Sequence, residues 1–153
     1  MPNPKSTAQI AGHPFHPMLV TFPIGFLIGT FVSDLVHLWL GDAFWARVSF
    51  WLLAAGIAMA LLAALAGLID FLGDRSIRAI QIVWFHMIGN VTAVVLSLLS
   101  LWFRCRDGMT ADYPLVFWIS LIVVLILAVT GWLGGELVFR HRVGVAEEFP
   151  GPR

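Results

Sequence analysis

The chain has little charge and almost no cysteine. Charged residues make up 12% of its 153 residues, nine of each sign, and Cys105 is the only cysteine. One cysteine excludes an internal disulfide. The formal net charge is +0, and the cations are spread between apolar runs, so no basic patch is available for nucleic acid. We therefore expect neither a disulfide-stabilised domain nor a nucleic-acid-binding protein.

The sequence also lacks the patterns of catalysis and of secretion. It shows no nucleophile–base signature, no phosphate-binding loop and no paired catalytic carboxylates. The first sixteen residues are polar and rich in proline, and the apolar run that follows is too long for a signal peptide. These absences favour a protein that is not itself an enzyme and whose ends are mature as written.

Apolar sequence is what the chain has in abundance. Hydrophobic residues make up 59% of the composition, against about 45–50% in soluble globular proteins. Four runs approach the roughly 20 residues that a helix needs to cross a lipid bilayer, and tryptophans lie near several of their ends. The predicted spans are Met18–Leu40, Val48–Leu72, Ile80–Phe103 and Leu115–Phe139. The sequence thus predicts a single all-α domain over residues 1–153, an up-down-up-down four-helix bundle in the membrane.

The distribution of basic residues predicts the orientation of this bundle. Four spans place both termini on one side of the membrane, together with the connection between the second and third spans. That side carries Lys5, Arg75, Arg78, Arg140, Arg142 and Arg153, whereas the opposite side carries Arg47, Arg104 and Arg106. The excess favours cytoplasmic termini, because positively charged segments are retained inside the cell.

Polar and small residues indicate which helix faces point inward. On the third span, five residues recur at intervals of three and four and so share one face: His86, Asn90, Ala93, Ser97 and Ser100. Polar groups in a membrane span face the bundle interior, so we expect this face to line the centre. The G-x-x-x-G spacings Gly25–Gly29 and Gly131–Gly135 further predict close helix packing.

The strongest local motif is Gly12-His13-Pro14-Phe15-His16-Pro17, just before the first span. Proline disfavours the α conformation in the residue before it, so both histidines are predicted to be extended. In a polyproline-like segment, residues three apart return to the same side. The two imidazoles could then point together into the mouth of the bundle. The alternative is a turn that caps the first helix, with both rings in interfacial hydrogen bonds.

Two further histidines are predicted to lie on the same side of the membrane. His86 begins the third span and His141 ends the fourth, so His13, His16, His86 and His141 form a candidate ligand set for haem or a transition metal. Asp70 and Asn90 are placed to orient the rings by hydrogen bonds. The alternative is a structural hydrogen-bond network. Near the opposite side, Asp34 and His37 share a face of the first span and form a candidate polar pair.

These residues resemble a known family. The run Gly12–Val20 followed by Phe22–Gly25 is similar to the opening of the bacterial membrane family filed as domain of unknown function 2231. The resemblance continues to Val145 in four later pieces: Gly67 with Asp70, His86 with Asn90, Gly134-Gly135, and His141 through Val145. Arg142 stands where the family pattern implies a small residue, usually glycine. The resemblance implies a multi-pass protein of the bacterial inner membrane.

The resemblance implies little about activity. Some family members appear joined to Rieske-type iron–sulfur domains, which points to electron transfer, but the family has no agreed function. This chain has no cysteine set for such a cluster. A redox role must therefore rest on the histidines, with b-type haem or a transition metal as cofactor, or on a partner.

Three functional hypotheses follow. The first is a cofactor-binding protein for membrane electron transfer, with a membrane redox partner or further copies of itself as partners. If the cofactor is haem, two rings that project the same way from one segment cannot bind opposite faces of the macrocycle, so one histidine of the N-terminal segment must pair with His86 or His141. The second hypothesis is a subunit of an ion or metal transporter. The third is a structural scaffold of a larger membrane complex.

Overall fold

Four long helices dominate the computed structural model, which describes residues 3–106 and 113–145. A short antiparallel ladder of β1 (Gln9–Ile10) and β2 (His13–Pro14) precedes the helices. The helices are α1 (Phe15–Leu19), α2 (Thr21–Leu40), α3 (Ala43–Gly73), α4 (Arg75–Arg78), α5 (Gln81–Arg106) and α6 (Tyr113–Phe139).

The predicted all-α membrane bundle is confirmed. Phe15–Leu40, Ala43–Gly73, Gln81–Arg106 and Pro114–Phe139 are each long and apolar enough to span a membrane. The third span differs from its predicted end at Phe103, because α5 continues to Arg106. Arg104, which the sequence placed in the connection after the third span, is therefore part of the helix, and residues 107–112 lie outside the described part of the chain.

Local sequence explains where the spans begin and end. Gly41 follows α2 with φ of +69° and donates its N–H to the His37 carbonyl at 2.8 Å, a left-handed cap that glycine favours. Asp42 then accepts the Phe44 N–H at 2.8 Å and so caps the start of α3. Asp74 caps α4 in the same way through the Ser76 N–H. These connections are short, so consecutive spans run antiparallel.

The bundle consists of two helix hairpins with the same burial pattern. The first hairpin is α2 with α3, preceded by α1, and the second is α5 with α6. The first long helices of the two hairpins are α2 and α5. Four buried residues of α2 each have a buried counterpart in α5 that lies 70 residues later in the chain, as Arg104 lies 70 residues after Asp34. The corresponding buried residues are Pro23 and Ala93, Leu27 and Ser97, Thr30 and Ser100, and Asp34 and Arg104. The hairpins are thus parallel repeats about an axis along the membrane normal.

Two contacts between equivalent positions mark this pseudo-twofold axis. Asp34 meets Arg104 at the end of the bundle opposite the termini, with Nη2 and Oδ2 2.7 Å apart. His16 meets His86 near the other end, with ring centroids 6.2 Å apart. Equivalent residues can touch each other only close to the symmetry axis. We call the end with the histidines the terminal mouth.

An apolar layer separates the two pairs along the axis. It is formed by Leu27, Leu53, Ile57, Ala93, Ile119 and Val123, which make one buried cluster. Each of these side chains is no more than 7% exposed. The layer is predominantly hydrocarbon, although the buried Ser97 hydroxyl lies at the level of Leu27, and it separates the polar groups at the two ends of the bundle.

Candidate functional site

His16 lies on the short helix α1 and reaches across to α3. Its Nδ1 is 2.8 Å from the carbonyl oxygen of Ala63, and the ring lies against Gly67. A Cβ at Gly67 would lie 2.9 Å from Nδ1, so only glycine leaves room for the ring in this position. Cβ atoms of a helix tilt toward its N-terminus, so a side chain at position 67 would cover the carbonyl of Ala63 one turn earlier. Because residue 67 is glycine, that carbonyl oxygen is open to the His16 ring.

His86 on α5 makes the same contact with α6. Its Nδ1 is 2.9 Å from the carbonyl oxygen of Thr130, four residues before Gly134. A Cβ at Gly134 would lie 3.2 Å from Cε1 of the ring, which is tight packing. The two halves of the bundle thus repeat one arrangement, in which an imidazole binds a helix carbonyl that is exposed by a glycine.

These contacts fix the tautomers of both rings. A carbonyl oxygen only accepts hydrogen bonds, so Nδ1 must carry the proton and donate it in both histidines. In the neutral ring, Nε2 then keeps a lone pair that can bind a metal or accept a hydrogen bond. The ring planes of His16 and His86 stand at 82° to each other, and both side chains are half-buried.

Asn90 distinguishes the two rings. Its Nδ2 donates to the His86 carbonyl at 2.7 Å, and this acceptor identifies that atom as the amide nitrogen. The same nitrogen lies 3.2 Å from Nε2 of His86. Thr130 Oγ1 donates to Asn90 Oδ1 at 3.2 Å and holds the other end of the amide. The lone pair of His86 Nε2 therefore faces a hydrogen-bond donor.

The other two candidate histidines are placed elsewhere. His13 is exposed on β2, and its Nδ1 lies 3.0 Å from the Ala11 carbonyl within its own turn. His141 follows α6, and its backbone N–H donates to the Glu136 carbonyl at 3.2 Å. Within residues 3–106 and 113–145, no group of three or more His, Cys, Asp or Glu side chains is arranged to hold a metal. The structure thus brings together two of the four histidines.

The extended conformation predicted around both histidines holds only for His13. His16 is helical although Pro17 follows it, because a proline in the first turn of a helix removes an N–H that has no intrahelical partner. Pro14, with φ of −71° and ψ of 128°, is the extended residue just before α1. The helix turns the ring of His16 away from that of His13 and toward the axis.

Asp70 contacts the N-terminal segment, not an imidazole. Its carboxylate accepts the N–H groups of Thr7 and Ala8 at 2.7 Å each and the hydroxyl of Ser6 at 2.9 Å. It is 9% exposed. We call residues 3–14 the strap, because they cross the terminal mouth before α1 begins. Asp70 therefore supports His16 through the strap, whereas the predicted role was to orient a ring directly.

The most buried charged residues lie at the opposite end of the axis. Arg104 Nη2 donates to both carboxylate oxygens of Asp34, at 2.7 and 2.9 Å, and Nη1 donates to Ser49 Oγ at 3.0 Å. Ser49 Oγ also donates to Asp34 Oδ1 at 2.5 Å. Arg104 is 1% exposed and Asp34 is fully buried. The ion pair joins α2, α3 and α5.

Sequence reasoning missed this ion pair. It paired Asp34 with His37 and assigned Arg104 to a connection, because a charge at the end of an apolar run resembles a loop residue. The structure shows His37 Nδ1 2.8 Å from the Asp42 carbonyl, and Asp34 bonded to Arg104. A signal was available, since Asp34 follows His16 at the same distance as Arg104 follows His86.

Comparison with known proteins agrees with this architecture. Residues 12–147 match the model of a family described as predicted membrane protein, DUF2231. No curated protein and no solved structure matches the chain. The matched region includes all four spans, His16, His86 and the Asp34–Arg104 pair. With its membrane bundle and its histidine motif, the chain belongs to the DUF2231 family of predicted membrane proteins.

Proposed function

We propose that His16 and His86 are the axial ligands of a b-type haem and that the protein transfers electrons in the membrane. The observation that supports the proposal is the hydrogen bonding of the two imidazole rings. Each donates Nδ1–H to a backbone carbonyl, and a metal-binding histidine commonly makes this hydrogen bond through its other nitrogen. The His16 ring is thus prepared to offer Nε2 to a metal, and the His86 ring offers its Nε2 when the Asn90 amide moves away from it.

The number of donors favours haem over a bare metal ion. A tetrahedral metal site needs three or four protein ligands, and the described residues offer no third histidine, cysteine or carboxylate beside this pair. The macrocycle of haem supplies four nitrogens of its own, so two axial imidazoles complete its coordination. A transition metal bound by the same two rings is the alternative, with ligands from outside the chain.

The placement of the rings also fits an axial pair. They come from opposite halves of the bundle, so the two rings can approach opposite faces of a macrocycle. Imidazole nitrogens that share one metal lie about 4 Å apart at ordinary bond lengths of about 2 Å. The ring centroids are 6.2 Å apart, which is compatible with that separation.

The interior of the bundle speaks against a transport pathway. An ion that crossed along the axis would have to pass the apolar cluster between the two pairs, where burying an unpaired charge is costly. The Asp34 carboxylate is moreover held by a guanidinium that does not lose its proton in proteins.

In this proposal, haem supplies the one-electron couple and the chain supplies the binding site. Ala63 and Thr130 orient the rings through their carbonyls, and the lipid-exposed helices hold the group within the bilayer. Electrons must come from and go to a membrane redox partner or a second copy of the chain. The location we propose is the bacterial inner membrane with cytoplasmic termini. Burial of Arg104 strengthens the charge bias, because it leaves Arg47 and Arg106 as the cations opposite the termini.

An absorption spectrum of the purified protein tests the proposal. The protein, made with sufficient haem and extracted in mild detergent, should show a Soret band that shifts on reduction with dithionite. His16→Ala and His86→Ala should each change this spectrum, and the double variant should lose it. His13→Ala is the matched control and should leave the spectrum unchanged.

Two results would overturn haem binding at this pair. One is a wild-type protein that stays colourless after titration with haemin. The other is a double variant that still shows the wild-type spectrum. A colourless wild type with stoichiometric metal that the double variant lacks would replace haem by a metal ion. A colourless, metal-free protein that folds without either histidine would leave the scaffold hypothesis in place.

A further inference from the structure

We propose that the first turns of α3 bind a phospholipid, whose phosphate contacts Arg47 and whose acyl chain lies in the cleft beside that residue. The site is at the end of the bundle opposite the terminal mouth and does not depend on the proposed haem. In the proposed orientation it faces the outer leaflet of the inner membrane. The cleft selects this occupant because it combines one cation with apolar side chains.

The cleft is a groove on the exposed surface of α3. Its volume is about 460 Å³, and ligand sites usually measure about 300–1,000 Å³. The residues that line it recur at intervals of three and four and so share one face of the helix: Phe44, Arg47, Val48, Trp51 and Leu52. The side chains of Phe44 and Trp51 are 52% and 67% exposed. The groove is therefore open to the surrounding lipid.

Arg47 differs from the other two arginines near this end of the bundle. Arg104 is paired with Asp34, and the guanidinium carbon of Arg106 lies 5.2 Å from the centroid of the Trp102 ring. Arg47 is exposed, and among the residues that the structure describes its guanidinium has no hydrogen-bond or ion-pair partner. An arginine fork donates two parallel hydrogen bonds to phosphate oxygens. A phosphodiester therefore complements the charge and the geometry of this side chain.

The order of groups along the cleft matches that of a phospholipid. Arg47 lies in the first turns of α3, which begins at Ala43, so its guanidinium is near the border of the bilayer. At 1.5 Å per residue, the cleft continues from Arg47 to Leu52 over about 7–8 Å toward the membrane centre. A Cβ at Gly29 would lie 3.1 Å from Leu52 Cδ1, so the inner end of the cleft is packed firmly against α2. A soluble anion would use the cation and leave the apolar lining uncovered, whereas a phospholipid uses both.

The second hairpin provides an internal comparison. Helix α6 repeats α3 at a separation of 67 residues, which is the separation of the two glycines beside the histidine rings. The same separation relates Trp51 to Trp118, which is 57% exposed, and Arg47 to Pro114. The equivalent surface of α6 thus carries the tryptophan without the cation. A lipid that is recognised through its phosphate should select α3.

Native mass spectrometry of the full chain in non-ionic detergent tests the proposal, with dioleoyl phosphatidylglycerol as the probe. Wild type should hold one molecule more tightly than any further copies. Arg47→Gln should weaken this binding about ten-fold, which corresponds to about one hydrogen bond to a charged group. Arg106→Gln is the matched control and should leave the affinity unchanged. Trp51→Ala should weaken binding, and Trp118→Ala should not.

Two further probes separate the parts of the ligand. Dioleoylglycerol, which lacks the phosphate, should bind at least ten-fold more weakly than phosphatidylglycerol. Inorganic phosphate, which lacks the acyl chains, should not displace the lipid at millimolar concentration. Equal affinity for the two lipids would overturn the role of Arg47. Displacement by inorganic phosphate would reduce the site to an anion contact and overturn the role of the cleft.

A measurement on wild type keeps the proposal falsifiable if Arg47→Gln does not fold. Phosphatidylglycerol with a photoreactive diazirine in one acyl chain should label residues 44–52 in preference to the equivalent segment of α6. Equal labelling of the two helices would overturn the proposal. Equal lipid affinity in folded Arg47→Gln and wild type would also overturn it.

Discussion

The Asp34–Arg104 pair and the His16–His86 pair, which both lie on the pseudo-twofold axis, differ in how their polar atoms are bonded. At the end opposite the terminal mouth, the carboxylate of Asp34 and the guanidinium of Arg104 face each other, with Ser49 between them, and both side chains are buried. At the terminal mouth, the two imidazoles of His16 and His86 each spend one nitrogen on a backbone carbonyl and remain half-buried. The axis thus carries a closed contact at one end and, in the proposed function, a ligand site at the other.

This difference separates structural from functional polar groups in a membrane bundle. Ionisable residues inside a membrane are candidates for function by default, and burial alone would single out Asp34 and Arg104. Their mutual bonds, however, assign them to holding the hairpins together. The histidines are less buried, their orientation is fixed by the bonds from Nδ1, and Asn90 is the protein group that faces the second nitrogen of His86. Unused bonding capacity is the better guide to the site.

Breaking the ion pair of Asp34 and Arg104 should have the largest effect on stability. Arg104→Met leaves the Asp34 carboxylate buried without its cation and should destabilise the protein by about 3–5 kcal/mol. Asp34→Leu combined with Arg104→Met removes both charges and should cost much less, since apolar replacements of buried ion pairs are often neutral. Thermal unfolding in detergent, followed by circular dichroism, measures both. Equal destabilisation by the single and the double change would contradict a purely structural pair.

The glycines beside the histidines should be next in effect. Gly67→Ala places a Cβ 2.9 Å from His16 Nδ1, and such overpacking costs about 1–3 kcal/mol. The same change should displace the ring and weaken haem binding. Gly131→Ala is the matched control on α6, because its Cβ meets nothing within 4 Å, and it should be neutral or stabilise by about 1 kcal/mol. Thermal unfolding and haem titration should both show a loss for Gly67→Ala and none for Gly131→Ala. Similar results for the two alanine variants would contradict the packing of the His16 ring against Gly67.

A strained turn next to the terminal mouth should give a smaller effect of opposite sign. Arg142 has φ of +53°, in the left-handed region, just before Gly144 donates its N–H to the Pro4 carbonyl of the strap at 2.9 Å. Arg142→Gly should stabilise the protein by about 1 kcal/mol, because a side chain at this φ costs about that much. This is the position where the family pattern implies a small residue. An unchanged or lower melting temperature would show that the arginine compensates for its strain.

The smallest expected effect is a pH dependence at the strap. The Ser76 hydroxyl and its backbone N–H lower the pKa of Asp74 below its ordinary value of 3.8. Asp74 also accepts the Lys5 N–H at 3.0 Å. A lowered pKa stabilises the fold above the unfolded value, and this stabilisation is lost as the pH falls through the folded pKa. Asp74→Asn should remove a contribution of under about 1 kcal/mol that wild type loses below about pH 4. Parallel acid-unfolding curves would contradict it.

The sequence was informative where composition and helical periodicity decide the structure. Apolar length predicted the four spans, and the inward face of α5 was confirmed at Ala93, Ser97 and Ser100, which are all buried. The G-x-x-x-G spacing of α6 was a poorer guide, because Gly131 and Gly135 border open space. Spacing alone does not say which side of a helix meets a neighbour.

The pairing of side chains depended on contacts between distant segments. The histidine motif predicted convergence at one mouth but not that His16 would leave His13, because α1 is positioned by the strap and Asp70. Arg104 was assigned to a connection, since only its contact with Asp34 on another helix explains its burial. Both contacts join residues that are far apart in the sequence, so the local sequence around each residue does not predict its partner. The common separation of the two pairs along the chain was the signal that linked the hairpins.

The most direct measurement is the haem content per chain of three purified proteins, determined after saturation with haemin and removal of the excess. The comparison uses wild type, the double variant His16→Ala/His86→Ala, and the double variant Asp34→Leu/Arg104→Met. Wild type and the ion-pair variant should each hold one haem per chain, and the histidine variant should hold none. Haem retained without the two histidines, or absent from a folded wild type, would contradict it.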